Sequence, residues 1–551
     1  MKLKKLLCIA LAMIVSVAAF GGCAGGGGED DGTTKVYIAM YDGGFGVDWM
    51  DDVKEEFETR YANTSLEEGK MGLTIDINTS KSHSGEGLAS NMALLDRDIY
   101  VTNNFNIYNQ YAREGYFLEI TDIVKATVPG EDKSIEGKLN QSYKDWFNID
   151  GKYYAIPHAA GAMVITYDKD IFEAHDCYFD KNGAFISNYK TKKNDANKNS
   201  WIGTGPDGEV GTYDDGLPVT YADFYKVCNR LAGKGVIPLF WSGQLRTYVA
   251  GMMMSLFTDY EGYDKSVSHF NLRGNIDVIN SFTGSKPNIT QMTLENDTQG
   301  NNVFKQPGLY YALEFMHEVI SHDNWYDVTN CFGSADHLST QESYIYSSPA
   351  ENKDDIAMLV EGVYWYNEAK GALEDSAETY GSQWENRNFA VLPFPKADAT
   401  KVGPQTHYDS NQSAIFINSK IDQSKVAIAK EIVQYIFTNK MLSKYTASSS
   451  TLLPYDYTVS DEDYATMSNF GKSVYDSRST TTYVYGPNQN LTLLKNPALT
   501  KSTAFWQTAS QNNPISAFYN NSGMTAKDYF EALSDYYNNT RWSGLVGGDV
   551  Q

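Results

Sequence analysis

Residues 150–172 read Asp-Gly-Lys-Tyr-Tyr-Ala-Ile-Pro-His-Ala-Ala-Gly-Ala-Met-Val-Ile-Thr-Tyr-Asp-Lys-Asp-Ile-Phe. The Asp150-Gly151 pair predicts a tight turn, and Lys152 to Ile156 continue as an apolar, aromatic strand. Pro157 and the small residues Ala159 to Gly161 interrupt that strand before a β-branched run resumes at Val164. An extended segment broken in its middle suits a chain that crosses between two rigid bodies. The His158-Ala159-Ala160-Gly161 stretch is the expected hinge, with His158 read as structural.

On the N-terminal side, residues 35–40 predict a strand that ends in the loop Tyr41 to Gly46. A helix carries Val53, Phe57 and Tyr61 on one face, and second and third strands follow at 73–77 and 99–101. Strand, helix, strand with short loops is a βαβ unit. Ligands of open α/β sheets sit outside the carboxyl ends of the strands, so Asp42 to Phe45, Ser82 to Ser84 and Thr102 to Asn104 are pocket candidates. On the C-terminal side, Thr220 to Asp223 form a capping box, and Phe224, Val227, Cys228 and Leu231 share one helix face. Residues 236–241 predict a strand and loop. Residues 176–218 and 265–305 lose hydrophobic periodicity and read as insertions.

These segments together are similar to the family 1 extracellular solute-binding proteins of ABC transporters. The resemblance rests on DGKYYAIP…MVITYDKDIF at 150–172, PVTYADFYKVCNRLAGKGVIPLFW at 218–241 and IAMLVEGVYWY at 356–366. It continues through FAVLPFP at 389–395, AIFINSK at 414–420 and TLLP at 451–454. It implies a periplasmic-binding-protein-like type II fold, two α/β lobes joined by a hinge with the ligand cleft between them. The implied lobes are 34–160 plus 405–450 and 161–396 plus 453–551. By the same resemblance Tyr364 stands where maltose-binding members carry a ring-stacking Trp, with Trp365 beside it, and Trp241 lies where relatives place another stacking ring. Asp42, Asn103, Asn104 and Glu361 are expected to exchange hydrogen bonds with ligand hydroxyls. Those members carry a ligand-contacting Glu in the crossover, where this chain has Gly161, a departure that argues against maltose itself.

The N-terminus predicts export. Lys2, Lys4 and Lys5 precede an apolar run, Leu6 to Phe20, too short for a membrane span. The run ends in Ala-Phe-Gly-Gly-Cys23, which resembles a lipobox. Residues 1–22 are therefore expected to be a lipoprotein signal peptide, Cys23 the lipidated residue, and 23–33 a Gly-rich tether. The expected location is the outer face of a bacterial cytoplasmic membrane, reached through the lipid alone. Three cysteines then remain, Cys177, Cys228 and Cys331, an odd set that defines no disulfide framework.

The formal charge is −24, and loss of the three leader lysines makes the remainder more acidic still. That balance argues against nucleic acid as a partner. The sequence carries no nucleophile elbow, H-E-x-x-H zinc helix, Walker loop or dinucleotide fingerprint. No metal set and no cofactor are expected. The Gly-rich segment 205–216, with Asp207, Asp214 and Asp215, lacks EF-hand spacing and is read as a surface turn, with calcium as the alternative. The expectation is a monomeric binding protein, not an enzyme, that closes on a sugar and passes it to a permease. The alternatives are a peptide or polyamine ligand, a surface glycan-binding lipoprotein without transport, and an exported glycoside hydrolase.

Overall fold

A computed structural model describes residues 32–83, 85–103, 108–350, 354–409 and 413–547, apart from the side chains of Glu86 and Thr503. The signal segment, Cys23, most of the tether, Ser84 and Asn104 lie outside the described residues.

The first lobe is built on a four-stranded sheet. Thr34–Met40 lies between Leu73–Asn78 and Ile99–Thr102, parallel to both, and Ala414–Ile417 returns antiparallel along Ile99–Thr102. The helix Trp49–Tyr61 buries Trp49, Met50, Val53 and Phe57 against this sheet. Its i, i+3, i+4 spacing is the reason one face is apolar.

The second lobe holds a three-stranded antiparallel sheet, with Met163–Asp168 between Phe389–Leu392 and Met358–Gly362. Asp168 ends the central strand and caps the next helix, accepting from the backbone N–H of Asp170 at 2.8 Å. The same carboxylate pairs at 2.5 Å with Arg387, both side chains being almost fully enclosed. The capping-box helix Tyr221–Ala232 forms as expected, and Phe224, Val227, Cys228 and Leu231 are all buried. Residues 236–241 form no strand of their own. Isolated parallel bridges join Ile237 to Ile356 and Phe240 to Leu359.

The Asp-Gly turn is borne out: Asp150 and Gly151 have φ of 53° and 87°, joining Asn148–Ile149 to Lys152–Tyr153. Both positive values are what a two-residue hairpin turn requires. The stretch 265–305 is more regular than its polar composition suggests. It contains the end of the helix Tyr263–Asn271 and a hairpin of Gly274–Thr283 with Lys286–Leu294. Gln405–Asp409 pairs in parallel with Thr481–Tyr485, so the chain joins the first sheet only from Ala414. The three cysteines are buried free thiols.

Candidate functional site

Two loops from opposite lobes meet at Tyr364. The loop after the first strand brings the Phe45 ring within 5.3 Å of the Tyr364 ring, centroid to centroid. Asn367 donates through Nδ2 to the carbonyl of Gly44 at 3.3 Å. Two glycines make the approach close enough. A Cβ on Gly44, whose φ is +85°, would stand 2.9 Å from the Tyr364 carbonyl oxygen. A Cβ on Gly362 would stand 2.4 Å from the Tyr364 ring.

Asp42 shapes the first loop. Its carbonyl accepts from Phe45 N–H at 2.7 Å and its carboxylate from Gly46 N–H at 3.0 Å, with the side chain exposed. Asn103, at the end of Ile99–Thr102, reaches the same loop: its Nδ2 lies 2.5 Å from where a Cβ of Gly43 would be. Asp42 and Asn103 are therefore brought together beside Phe45, and Asn104 lies outside the described residues.

Behind Tyr364 is a polar cluster of the second lobe. Tyr248, near the start of the helix Thr247–Glu261, lies near Tyr364, Glu361 and Glu368. Glu361 is fully buried and accepts from Gly362 N–H at 3.0 Å. Burial first, and the neighbouring Glu368 charge second, push its carboxyl up to about 8. Its Oε1 and the Oε1 of Gln341 are two buried oxygens without a donor. Gln341 Nε2 in turn donates to Glu368 at 2.9 Å, and His337 stands 3.5 Å from the same carboxylate, which raises the imidazole's affinity for its proton.

Trp241 and Trp365 are placed differently from Tyr364. Both are fully enclosed and offer no ring face to a ligand in this structure. Trp365 donates through Nε1 to Thr166 at 3.0 Å and packs on Tyr344, Phe389 and Phe470 of its own lobe. Trp241 packs on Tyr326 and Phe332. Both are core aromatics, because inward-facing positions flanking a buried strand take the largest apolar rings available. The sequence reading missed Tyr248, whose only signal is its place seven residues beyond Trp241 at a loop-to-helix junction.

The stretch expected to be the hinge adjoins these loops, with the Phe45 ring 5.9 Å from that of His158. His158 is buried, its Nε2–H donating to the Thr102 carbonyl and its Nδ1 accepting from the Tyr445 hydroxyl, each at 3.0 Å. A carbonyl can only accept, which fixes this tautomer. Ser413, from the returning crossing, accepts from the N–H groups of His158 and Ala159 at 3.2 and 3.0 Å. A cavity of about 270 Å³ lies beside this region, lined by Lys138, Tyr143, Tyr455, Arg478 and Tyr483 among others. Its cations are already engaged: Lys138 with Glu131, Arg478 with the carbonyls of Tyr455 and Tyr457. Among the described residues no three His, Cys, Asp or Glu side chains are grouped so as to hold a metal ion. Nor is any helix long and apolar enough to cross a membrane.

Residues 72–287 match the family described as bacterial extracellular solute-binding protein. Among solved structures, the apo form of RafE from Streptococcus pneumoniae is similar with a TM-score of 0.54 at 13% identity, over 92% of this chain and 98% of that one. RafE in complex with raffinose gives 0.53 at 13% identity, over 92% and 99%. A chitin oligosaccharide binding protein gives 0.53 at 12% identity, over 92% and 100%. No curated protein sequence matches the chain. The resemblance to family 1 solute-binding proteins is thus borne out, and the fold is the two-lobed, periplasmic-binding-protein-like α/β fold.

Proposed function

We propose that this protein is the extracellular sugar-capturing component of an ABC importer, closing its two lobes on a mono- or oligosaccharide. The observation that carries this reading is the Tyr364 ring, seated between the lobes against Phe45 and bordered by Gly44 and Gly362. Sugars offer apolar C–H faces and a belt of hydroxyls, so their sites combine flat rings with planar polar groups. Here Tyr364 and Phe45 supply the rings. Asp42 and Asn103 supply polar groups from the first lobe and Tyr248 from the second, with Glu361 buried behind Tyr364. The raffinose and chitin-oligosaccharide binding of the similar structures supports the same class of ligand.

In this reading the lobes rock about the crossings at Gly161 and Asp409, and ligand selects the closed arrangement because only there do both lobes touch it. Lipid on Cys23 holds the protein on the outer membrane face, a permease receives the sugar, and no bond of the ligand is broken. The test is a thermal-shift and calorimetric screen of the chain from Gly32 onward against oligosaccharides, amino acids, peptides and polyamines. A ligand at about 100-fold its dissociation constant adds about 2.7 kcal/mol of stability. The expected result is a response to one glycan class with the glycan recovered intact. A response to a peptide or polyamine with none to any sugar overturns the ligand class, and release of shortened glycan overturns the non-enzymatic reading.

A further inference from the structure

Well away from Tyr364, two carboxylates are buried against each other in the loop 205–216. Asp207 is 5% exposed and Asp214 is 0% exposed. Asp207 N–H donates to Oδ2 of Asp214 at 3.0 Å, and the Thr212 hydroxyl donates to its Oδ1 at 2.6 Å. One oxygen of Asp207 accepts from Glu209 N–H at 2.8 Å, whereas the other, Oδ2, is buried without any hydrogen-bond partner. The two carboxyl groups lie within hydrogen-bonding reach of each other. Asp215, the third acid, is turned away to the Gly211 N–H at 3.1 Å and toward Lys198.

We propose that this loop binds a calcium ion, with the carboxylates of Asp207 and Asp214 as its charged ligands. Two adjacent buried carboxylates cannot both be ionised unless something positive lies between them. The choices are a shared proton or a cation, and the orphaned Asp207 oxygen is the position a cation fills. The donors are oxygen throughout, with no imidazole or thiolate in the loop, which favours a hard cation over a transition metal. Calcium accepts six to eight oxygens and takes backbone carbonyls and waters readily, so two carboxylates suffice where the loop and solvent complete the shell. Magnesium demands a tighter octahedron and holds its waters, which this irregular loop suits poorly.

The site bears on the hinge. Pro206 accepts from Gly403 N–H at 3.0 Å, Gly208 lies against Val402, and Tyr213 packs against Thr480 beside the strand Thr481–Tyr485. An ion here fixes the outer flank of the second crossing.

The experiment uses chelator-treated protein, titrated with calcium and with magnesium while thermal unfolding is followed. Terbium luminescence sensitised through Tyr213 reports the site directly. The expected result is a rise of about 2 °C or more at about 5 mM calcium, with a smaller rise for magnesium. Asp207→Asn and Asp214→Asn should each abolish the rise. Glu261→Gln, which removes a different buried carboxyl with an orphaned oxygen, should keep it. Tyr213→Phe should keep the rise yet lose the terbium signal, and this variant leaves the ligands untouched if either Asn variant folds poorly. No calcium response in the wild type overturns the proposal in favour of a shared proton. A response that survives both Asn substitutions places the ion elsewhere and overturns it equally.

Discussion

Gly161 donates its backbone N–H to Oδ1 of Asp409 at 2.9 Å, so the two chain crossings between the lobes are fastened to each other. The other Asp409 oxygen accepts from the Tyr143 hydroxyl, and the carboxylate is fully buried. Asp409→Ala therefore strands a buried hydroxyl and a buried N–H. It should cost about 2–4 kcal/mol in a denaturant titration. Asp409→Asn should recover part of this, because an amide oxygen can still accept from Gly161. Equal losses in the two variants would show that the fastening contributes little.

Gly44 and Tyr364 are held closer than a β-carbon allows. Gly44→Ala introduces a contact of 2.9 Å with a backbone oxygen and forces a side chain into positive φ. If closure on a ligand needs this approach, affinity for the sugar should fall by about tenfold or more, since a lost 1.4 kcal/mol is a factor of ten. Small-angle scattering should then show that saturating sugar compacts the variant less than the wild type. Unchanged affinity would mean the loops separate in the liganded state.

Tyr364 and Trp365 are neighbours in different surroundings, and substitution should separate them. Tyr364→Ala is expected to reduce sugar affinity severely while leaving the unfolding midpoint nearly unchanged. Trp365→Ala empties a core position and breaks the bond to Thr166. It should destabilise the second lobe by about 3–5 kcal/mol. A folded Trp365→Ala protein with normal stability and no sugar binding would return Trp365 to the site.

Much of the architecture was legible because periodicity and turn chemistry are local. The helix face of Phe224, Val227, Cys228 and Leu231, the Asp150-Gly151 turn and the strand before Asp168 depend on residues close in sequence. The site was less legible because side-chain direction at a strand end depends on the other lobe. Tyr364 turns toward Phe45, some 320 positions away in the chain, whereas Trp365 turns into its own core. Adjacent aromatics in one loop carry no mark of which is which. The hairpin within 265–305 was hidden for a related reason: its second strand is largely exposed, and a polar strand lacks the alternation that betrays a half-buried one.

The buried titrating groups set opposing pH dependences that variants can separate. Burial lowers His158 and His269 to about 4, and His407 to about 3, below the unfolded value near 6.5. Over that window the unfolded chain takes up protons that the folded chain refuses. Stability should therefore fall as pH drops from about 6.5 to about 4, by up to about 1.4 kcal/mol per pH unit for each imidazole. Glu361 runs the other way. Its carboxyl is raised to about 8, so its contribution is fully present below about 4.5 and lost as pH rises through 8. Glu361→Gln keeps a neutral hydrogen-bonding group and removes that loss. Relative to the wild type, the variant should gain stability steadily between pH 5 and 8, with the difference levelling off above about 8, as read from urea titrations at each pH. A difference that stays flat across the range would mean that Glu361 is already ionised in the folded protein, and that a cationic partner, not a proton, satisfies its orphaned oxygen.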